Sequence, residues 1–404
     1  FGPVVVSAMR LTPRSELAAR LVRLHARLAA ENELDAVILM HPATLFYFAG
    51  TVQDAWMVIP RGGAPLLLVR KQIERAREES ALDTIVPFAT AREVPGLLRS
   101  HGLGGLSRIG LEFDLLSVER YVQIGRLLPT TQFADAARLV REVRMVKSPF
   151  EVDCIRRAAV IQDRMARRVT EVLRPGMSEL ELTAEVEAEA RRHGHQGMIR
   201  TRRIEMDGLY GHLLTGPPGA APAWPDTPTG GLGLSPAVNH GLCGRAIQPH
   251  EPVLLDYAGA CDGYVSDQTR LFAIGGLPQP LVDAYAACRA VHEVVVAKLR
   301  PGVLAEEVYK TARAAAERLG YGGRFMNAGP AQVTYVGHGV GIELDEIPVL
   351  GHGRQTRLEP GMTLAVEPKI VCPSLGIVGL EDTVLVTDGD PEFLTFTPRD
   401  IRIV

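Results

Sequence analysis

Residues 14–33, RSELAARLVRLHARLAAENE, bring leucine back at helical intervals on one side, with charged residues on the other. That spacing predicts an amphipathic helix. Short apolar runs follow: DAVILM (35–40), WMVIP (56–60), PLLLVR (65–70), TIVPFA (84–89) and RIGLEF (108–113). Their length and composition predict strands. Helical stretches such as SVERYVQIGRLL (117–128) lie between some of them. The pattern predicts an α/β domain over residues 1–145, without a constellation of chemically active side chains.

The pattern changes at KSPFEVDCIRRAAVIQDRMARRVTEVLRPG (147–176). Ser148 is a good N-cap, Pro149 suits the first helical position, and Glu151 completes a capping box. A long helix should run from there to about Val172. The domain boundary is placed near 145, which leaves residues 146–404 as a second domain.

This second region repeats itself. LRPGMSELELTAEVEAEARRHG (173–194) recurs as LRPGVLAEEVYKTARAAAERLG (299–320), offset by 126 residues. His212, in YGHLLTG, matches His338, in VGHGVGI, at the same offset. Two matches in one register predict a duplicated half-domain, with a site between the halves.

Two predicted hairpins carry paired acids. In EPVLLDYAGACDGYVSDQTRLFAI (251–274), centring the turn between Cys261 and Asp262 sets Asp256 opposite Asp267. In GMTLAVEPKIVCPSLGIVGLEDTVLVT (361–387), centring the loop on Ser374 sets Glu367 opposite Glu381. Like charges opposite one another on neighbouring strands are destabilising. A shared proton relieves that cost, and so does a cation. Two such hairpins, with a glycine-bracketed histidine (His338) between them in sequence, favour a cation. Asp256, Asp267, His338, Glu367 and Glu381 carry too much negative charge for one divalent ion. They suit two ions about 3.5–4 Å apart with bridging carboxylates. Mostly oxygen donors with one nitrogen favour manganese, cobalt, zinc or iron. The glycines around His338 are read as leaving the ions uncrowded.

Composition narrows the picture further. Apolar content of 46% and charged content of 23% over 404 residues are those of a soluble globular protein with ample core. The net charge is −3 and no long basic run occurs, which argues against nucleic-acid and membrane-surface partners. No apolar run approaches the roughly 18 residues of a membrane span. The start, FGPVVVSAMR, lacks the basic and apolar regions of a signal peptide. Five scattered cysteines without a CxxC pair predict reduced thiols and a cytoplasmic location.

At these residues the chain resembles the pita-bread metallopeptidases: methionine aminopeptidase, prolidase, aminopeptidase P and the metal-free relative creatinase. The five candidate ligands stand in that family's order, and the VKSPFEV junction resembles the opening of its catalytic domain. The resemblance implies an α/β creatinase/prolidase-type N-terminal domain (1–145) and an α+β pita-bread domain (146–404) with a pseudo-twofold internal repeat. It implies hydrolysis of a peptide bond in a small peptide by a metal-bridging hydroxide, with manganese favoured, in a homodimer. Asp256 then chelates one ion, and His338 with Glu367 holds the other. Asp267 and Glu381 bridge, and Glu367 relays protons. The resemblance also implies a histidine donor for the oxyanion. His240 is one candidate, sixteen residues before Asp256, and His212 is its rival by the repeat.

Two departures bear on substrate. Asp345 stands seven residues after His338, where the family's peptidases usually have a second histidine. It suits a cationic or hydroxylated group better than an oxyanion. Its other reading, shared with Glu346, is structural or solvated. Gly379 stands where prolidase-like members carry arginine, which puts a simple Xaa-Pro dipeptide in question. Arg202, in RTRR (200–203), reads as a carboxylate clamp or as part of a solvated face. Trp224, in the proline- and glycine-rich loop 215–241, reads as a pocket wall or as part of a plain connection. The competing functional readings are a non-peptidase enzyme on the same scaffold, creatinase-like or acting as a lyase on sulfonium acids, and a non-catalytic binding protein.

Overall fold

A six-stranded mixed sheet, in a unit that ends at Arg144, opens the fold. The computed structural model describes residues 10–31, 33–202 and 210–404. The readings of residues 1–9 and of Arg203 lie outside the described residues. The elements of this unit are α1 (Arg14–Glu31), β1 (Ala36–Leu39), α2 (Pro42–Ala49), β2 (Ala55–Pro60), β3 (Leu66–Val69) and α3 (Ile73–Glu79). They continue with β4 (Ile85–Pro87), α4 (Val94–Ser100), β5 (Arg108–Leu111), α5 (Val118–Leu127), β6 (Gln132–Asp135) and α6 (Ala137–Met145). The strand order is β4-β3-β2-β1-β5-β6. All five apolar runs read from the sequence form strands. β6 escaped that reading because QFAD is half-exposed and carries only two apolar residues.

The second unit runs from Met145 to Val404. It begins with α7 (Pro149–Val172), whose N-terminus is the expected capping box: Ser148 accepts from the Glu151 amide, and Glu151 accepts from the Ser148 amide. Then come α8 (Glu179–Arg192), β7 (Gly211–Thr215), β8 (Val253–Cys261) and β9 (Tyr264–Ala273). The second half supplies α9 (Gln279–Lys298), α10 (Ala305–Arg318), β10 (Gly337–Gly339), β11 (Thr363–Val366), β12 (Lys369–Cys372) and β13 (Gly376–Gly379). It closes with β14 (Asp382–Leu385), β15 (Glu392–Phe393) and β16 (Arg402–Ile403). The offset of 126 residues carries α8 onto α10 and the start of β7 onto the start of β10. One four-stranded sheet has the order β16-β9-β8-β7, the other β10-β11-β14-β15, and β12 pairs with β13 alone. A bridge between Thr269 and Glu381 ties the two halves together.

Both predicted hairpins form. In the second, Val366 pairs with Asp382 and Lys369 with Gly379. Glu367 and Glu381 therefore lie opposite each other at the break between these ladders, as the Ser374-centred loop predicts. The first hairpin is corrected by two residues. Asp256 pairs with Thr269, and Asp267 pairs with Ala258. The turn is Asp262-Gly263, both at positive φ (51° and 83°), one step later than the sequence reading placed it. Asp-Gly is the preferred sequence for such a two-residue turn, a signal that the centring overlooked. A shift of two residues keeps every side chain on its face, so the two aspartates remain diagonal neighbours.

Candidate metal centre

The site is assembled from strand ends of both halves. β8 and β9 are buried nearly throughout and present Asp256 and Asp267 on one face. β10 presents His338, and the break between β11–β14 and β12–β13 presents Glu367 and Glu381. Asp267, His338 and Glu381 each offer a donor atom within 4.8 Å of the others. Glu367 joins them, with its Oε1 3.6 Å from His338 Nε2. The four carboxylates are all buried.

Their neighbours hold them in place. Thr269 Oγ1 donates to Glu381 Oε2 at 2.7 Å. Thr383 Oγ1 accepts from the Asp267 amide and donates to the Asp267 carbonyl. Behind Glu381, the Arg270 guanidinium donates to the Glu381 carbonyl at 2.6 Å and pairs with buried Asp382 at 2.7 Å. His292 and Arg399 also reach Asp382, whose carboxyl is held far below its ordinary range; burial opposes this, and Arg270 and His292 outweigh it.

The electrostatics ask for a cation. Burial, with the charges of Glu381 and Asp256 added, pushes Asp267 well above the ordinary carboxylate range. Burial raises Glu381 to about 7, even against the pull of Lys369. Glu381 Oε1 is buried and has no hydrogen-bond partner. A buried carboxylate oxygen left without a donor is costly, and it lies on a residue that shares a donor cluster with His338 and Asp267. The donor set therefore fits a divalent ion: oxygen-rich, with one imidazole.

One resident cation was not foreseen. Lys369 is 1% exposed, and its Nζ lies 2.7 Å from Glu367 Oε2 and 3.2 Å from both Asp256 Oδ2 and Glu381 Oε2. Burial disfavours this ammonium, but Asp256, Glu367 and Glu381 together outweigh it and hold its pKa well above the ordinary lysine value. Burial raises Asp256, but Lys369, His212 and Thr269 together outweigh it and lower its pKa. The sequence does hold a signal. Lys369 pairs directly with Gly379, and a Cβ at 379 would stand 2.5 Å from Lys369 Cγ. The missing side chain at 379 makes room for the lysine stem.

The two rival histidines are both at the site. His212 is the cross-strand partner of Asp256, with Nε2 3.5 Å from Asp256 Oδ2 and 2.9 Å from Thr229 Oγ1. Its ring packs edge-on to that of His240, with centroids 4.4 Å apart. Burial, reinforced by His240, depresses His212 to about 3, and burial also lowers His240. In both rings burial disfavours the charged form. The loop 215–241 reaches the site through Thr229 and His240. Trp224 is 62% exposed, so it is not a buried wall.

Other placements differ from the sequence reading. Arg202 is not on a solvated face: it is buried, with its guanidinium 3.6 Å from Glu343. Its backbone amide donates to Asp345 Oδ1 at 2.9 Å. Burial raises the Asp345 carboxyl, and that amide hydrogen bond, followed by His338, acts on it in the opposite sense. Glu346 is structural. It pairs with buried Lys147 at 3.0 Å and accepts from the amides of Ile342 and Glu343. The glycines beside His338 make room for backbone, not for ions: a Cβ at Gly337 would stand 2.1 Å from the Ala365 carbonyl, and one at Gly339 2.5 Å from that of Ile347.

A buried carboxylate–imidazole centre between two repeated half-domains is that of a metal-dependent hydrolase. The chain belongs to metallopeptidase family M24, whose model matches residues 153–388, and a creatinase/prolidase N-terminal domain matches residues 20–146. It is similar to the Xaa-Pro dipeptidase of Pyrococcus furiosus, 26% identical over 92% of this chain and 96% of the relative. A putative dipeptidase of Bacillus subtilis is 29% identical over 73% of each chain. Among solved structures, the Xaa-Pro dipeptidase from Bacillus anthracis superposes with a TM-score of 0.81 at 25% identity, covering 96% of this chain and all of the other. The prolidase from Pyrococcus horikoshii shares the fold, with a TM-score of 0.79 over 95% and 99% of the two chains.

Proposed function

We propose that this protein is a divalent-metal-dependent peptidase that cleaves short peptides with proline after the scissile bond, an Xaa-Pro dipeptidase or aminopeptidase. The observation that carries the reading is the convergence of Asp267, His338 and Glu381 with an unpartnered buried oxygen among them. The substrate class is supported by relatives named Xaa-Pro dipeptidase that span nearly the whole chain. A bound divalent ion supplies a Lewis acid and lowers the pKa of water towards about 7. Asp267, His338 and Glu381 hold that ion. Glu367 is positioned to hold and hand on a proton: Lys369 pins its Oε2, and its Oε1 faces the ligand cluster. His212 and His240, whose charged forms burial disfavours, are N–H donors for a developing oxyanion. Asp345 is the group we assign to a hydroxylated or cationic part of the substrate.

Manganese is the first ion to load, given the oxygen-rich donor set. All five cysteines are free thiols, which suits a reducing cytoplasm, and the homodimer is the arrangement the resemblance implies. Among the described residues no helix is long and apolar enough to cross a membrane. The test is turnover by the manganese-loaded chain on Xaa-Pro dipeptides and Xaa-Pro-Yaa tripeptides, against creatine and sulfonium acids. Release of proline or of the N-terminal residue is expected. Turnover of only the non-peptide substrates overturns the reading.

A further inference from the structure

We propose that Lys369 takes the place of one metal ion, so that the centre holds one divalent cation beside a built-in ammonium. The inference rests on the metal-dependent reading above and concerns the number of ions, not whether one binds.

The geometry divides the donors into two sets. Nζ of Lys369 touches Asp256 Oδ2, Glu367 Oε2 and Glu381 Oε2 at 2.7–3.2 Å. The opposite oxygens face elsewhere. Glu367 Oε1 lies toward His338 Nε2 at 3.6 Å, and Glu381 Oε1 is buried without a partner. Asp267 Oδ2 also lies toward His338 Nε2, at 3.8 Å. Each glutamate thus gives one oxygen to the ammonium and keeps the other clear of it.

Asp256 gives Oδ2 to the first set, where it faces both Lys369 and His212, and it is not a member of the donor cluster of Asp267, His338 and Glu381. Divalent ions bind carboxylate oxygens at about 2.0–2.2 Å. An ion on Asp256 Oδ2 and Glu381 Oε2 would need the volume that Nζ fills. The lysine is a fixture of the strand pair: it is buried, and its stem occupies the space left by Gly379. Four carboxylates therefore meet an ammonium and one divalent ion, which leaves a single negative charge where one divalent ion alone would leave two.

The experiment uses the full chain, stripped with a chelator, reloaded with manganese chloride, and dialysed. Metal analysis and electron paramagnetic resonance read the outcome, with peptide turnover measured separately. About one manganese per chain with an isolated six-line spectrum is expected. For Lys369→Gly, about two per chain with an exchange-coupled spectrum is expected. Two ions per chain in the wild type overturn the inference and leave the metallopeptidase reading standing. No ion in the wild type overturns both. One ion in a folded Lys369→Gly variant overturns the assignment of the second position to Lys369. Should that variant fail to fold, the wild-type stoichiometry and spectrum decide the matter alone.

Discussion

At Glu367 the two carboxylate oxygens do different work, and this makes it the most informative single residue to change. Glu367→Gln keeps the shape and removes the proton-carrying capacity. We expect turnover to fall by about 10²–10⁴, the usual worth of a general acid–base group, with the fold unchanged by circular dichroism. Near-wild-type turnover would refute the proton role. Asp382 makes a different prediction, one of stability. It is buried against Arg270, His292 and Arg399. Removing one partner of such a buried network costs about 3–5 kcal/mol, so Asp382→Asn should lose that much at pH 7 in urea unfolding. Its folded pKa is depressed, so its contribution is complete above the unfolded carboxylate value of about 4. The contribution is lost as pH falls further, and the gap between wild type and variant should narrow in acid. A gap that persists unchanged at pH 2–3 would contradict this assignment. Gly379 also changes meaning at this scale. Read alone, it was an arginine missing from a substrate clamp. Paired with Lys369, it is the space that lets a cation enter the cluster from the opposite strand.

Among the elements, β8 and the face of α7 that it packs against set the position of the paired strand β9, where Gly259 lies opposite Ser266 and Ala258 opposite Asp267. Gly259 lets them approach: a Cβ there would stand 2.2 Å from the Ala158 carbonyl of α7. Backbone cannot yield as a flexible side chain can. Gly259→Ala should therefore destabilise by about 1–3 kcal/mol, as overpacking does, and weaken manganese binding, measured by denaturation and by calorimetric titration. Unchanged values for both would mean that α7 does not set the strand's position. The β8–β9 register makes a related point. Local rules located the hairpin and missed its turn by one step, because the centring passed over Asp262-Gly263, the pair that most readily takes positive φ. The capping box at Ser148 was readable because all its groups lie within four residues of chain. Thr383, which holds Asp267 from a strand 116 residues away, was not.

For the molecule as a whole, metal binding should be linked to the stability of the 145–404 unit, since all five candidate ligands lie in it. A ligand at about 100 times its dissociation constant stabilises by about 2.7 kcal/mol. Chelation should lower the melting temperature of this unit, and added manganese should restore it in a concentration-dependent way. A transition indifferent to both would argue against a metal centre. The sequence by itself determined the helices and strands that carry their own periodicity and caps, the 126-residue repeat, and a set of acids and a histidine suited to a cation. Those features depend on neighbours in the chain or on residue chemistry. Only the tertiary structure decided that His212 and His240 share one corner, that Arg202 is buried beside Glu343, and that Lys369 stands among the carboxylates. Each of these depends on side chains brought together from distant positions, where burial and charge, not spacing along the chain, decide which partner a group takes.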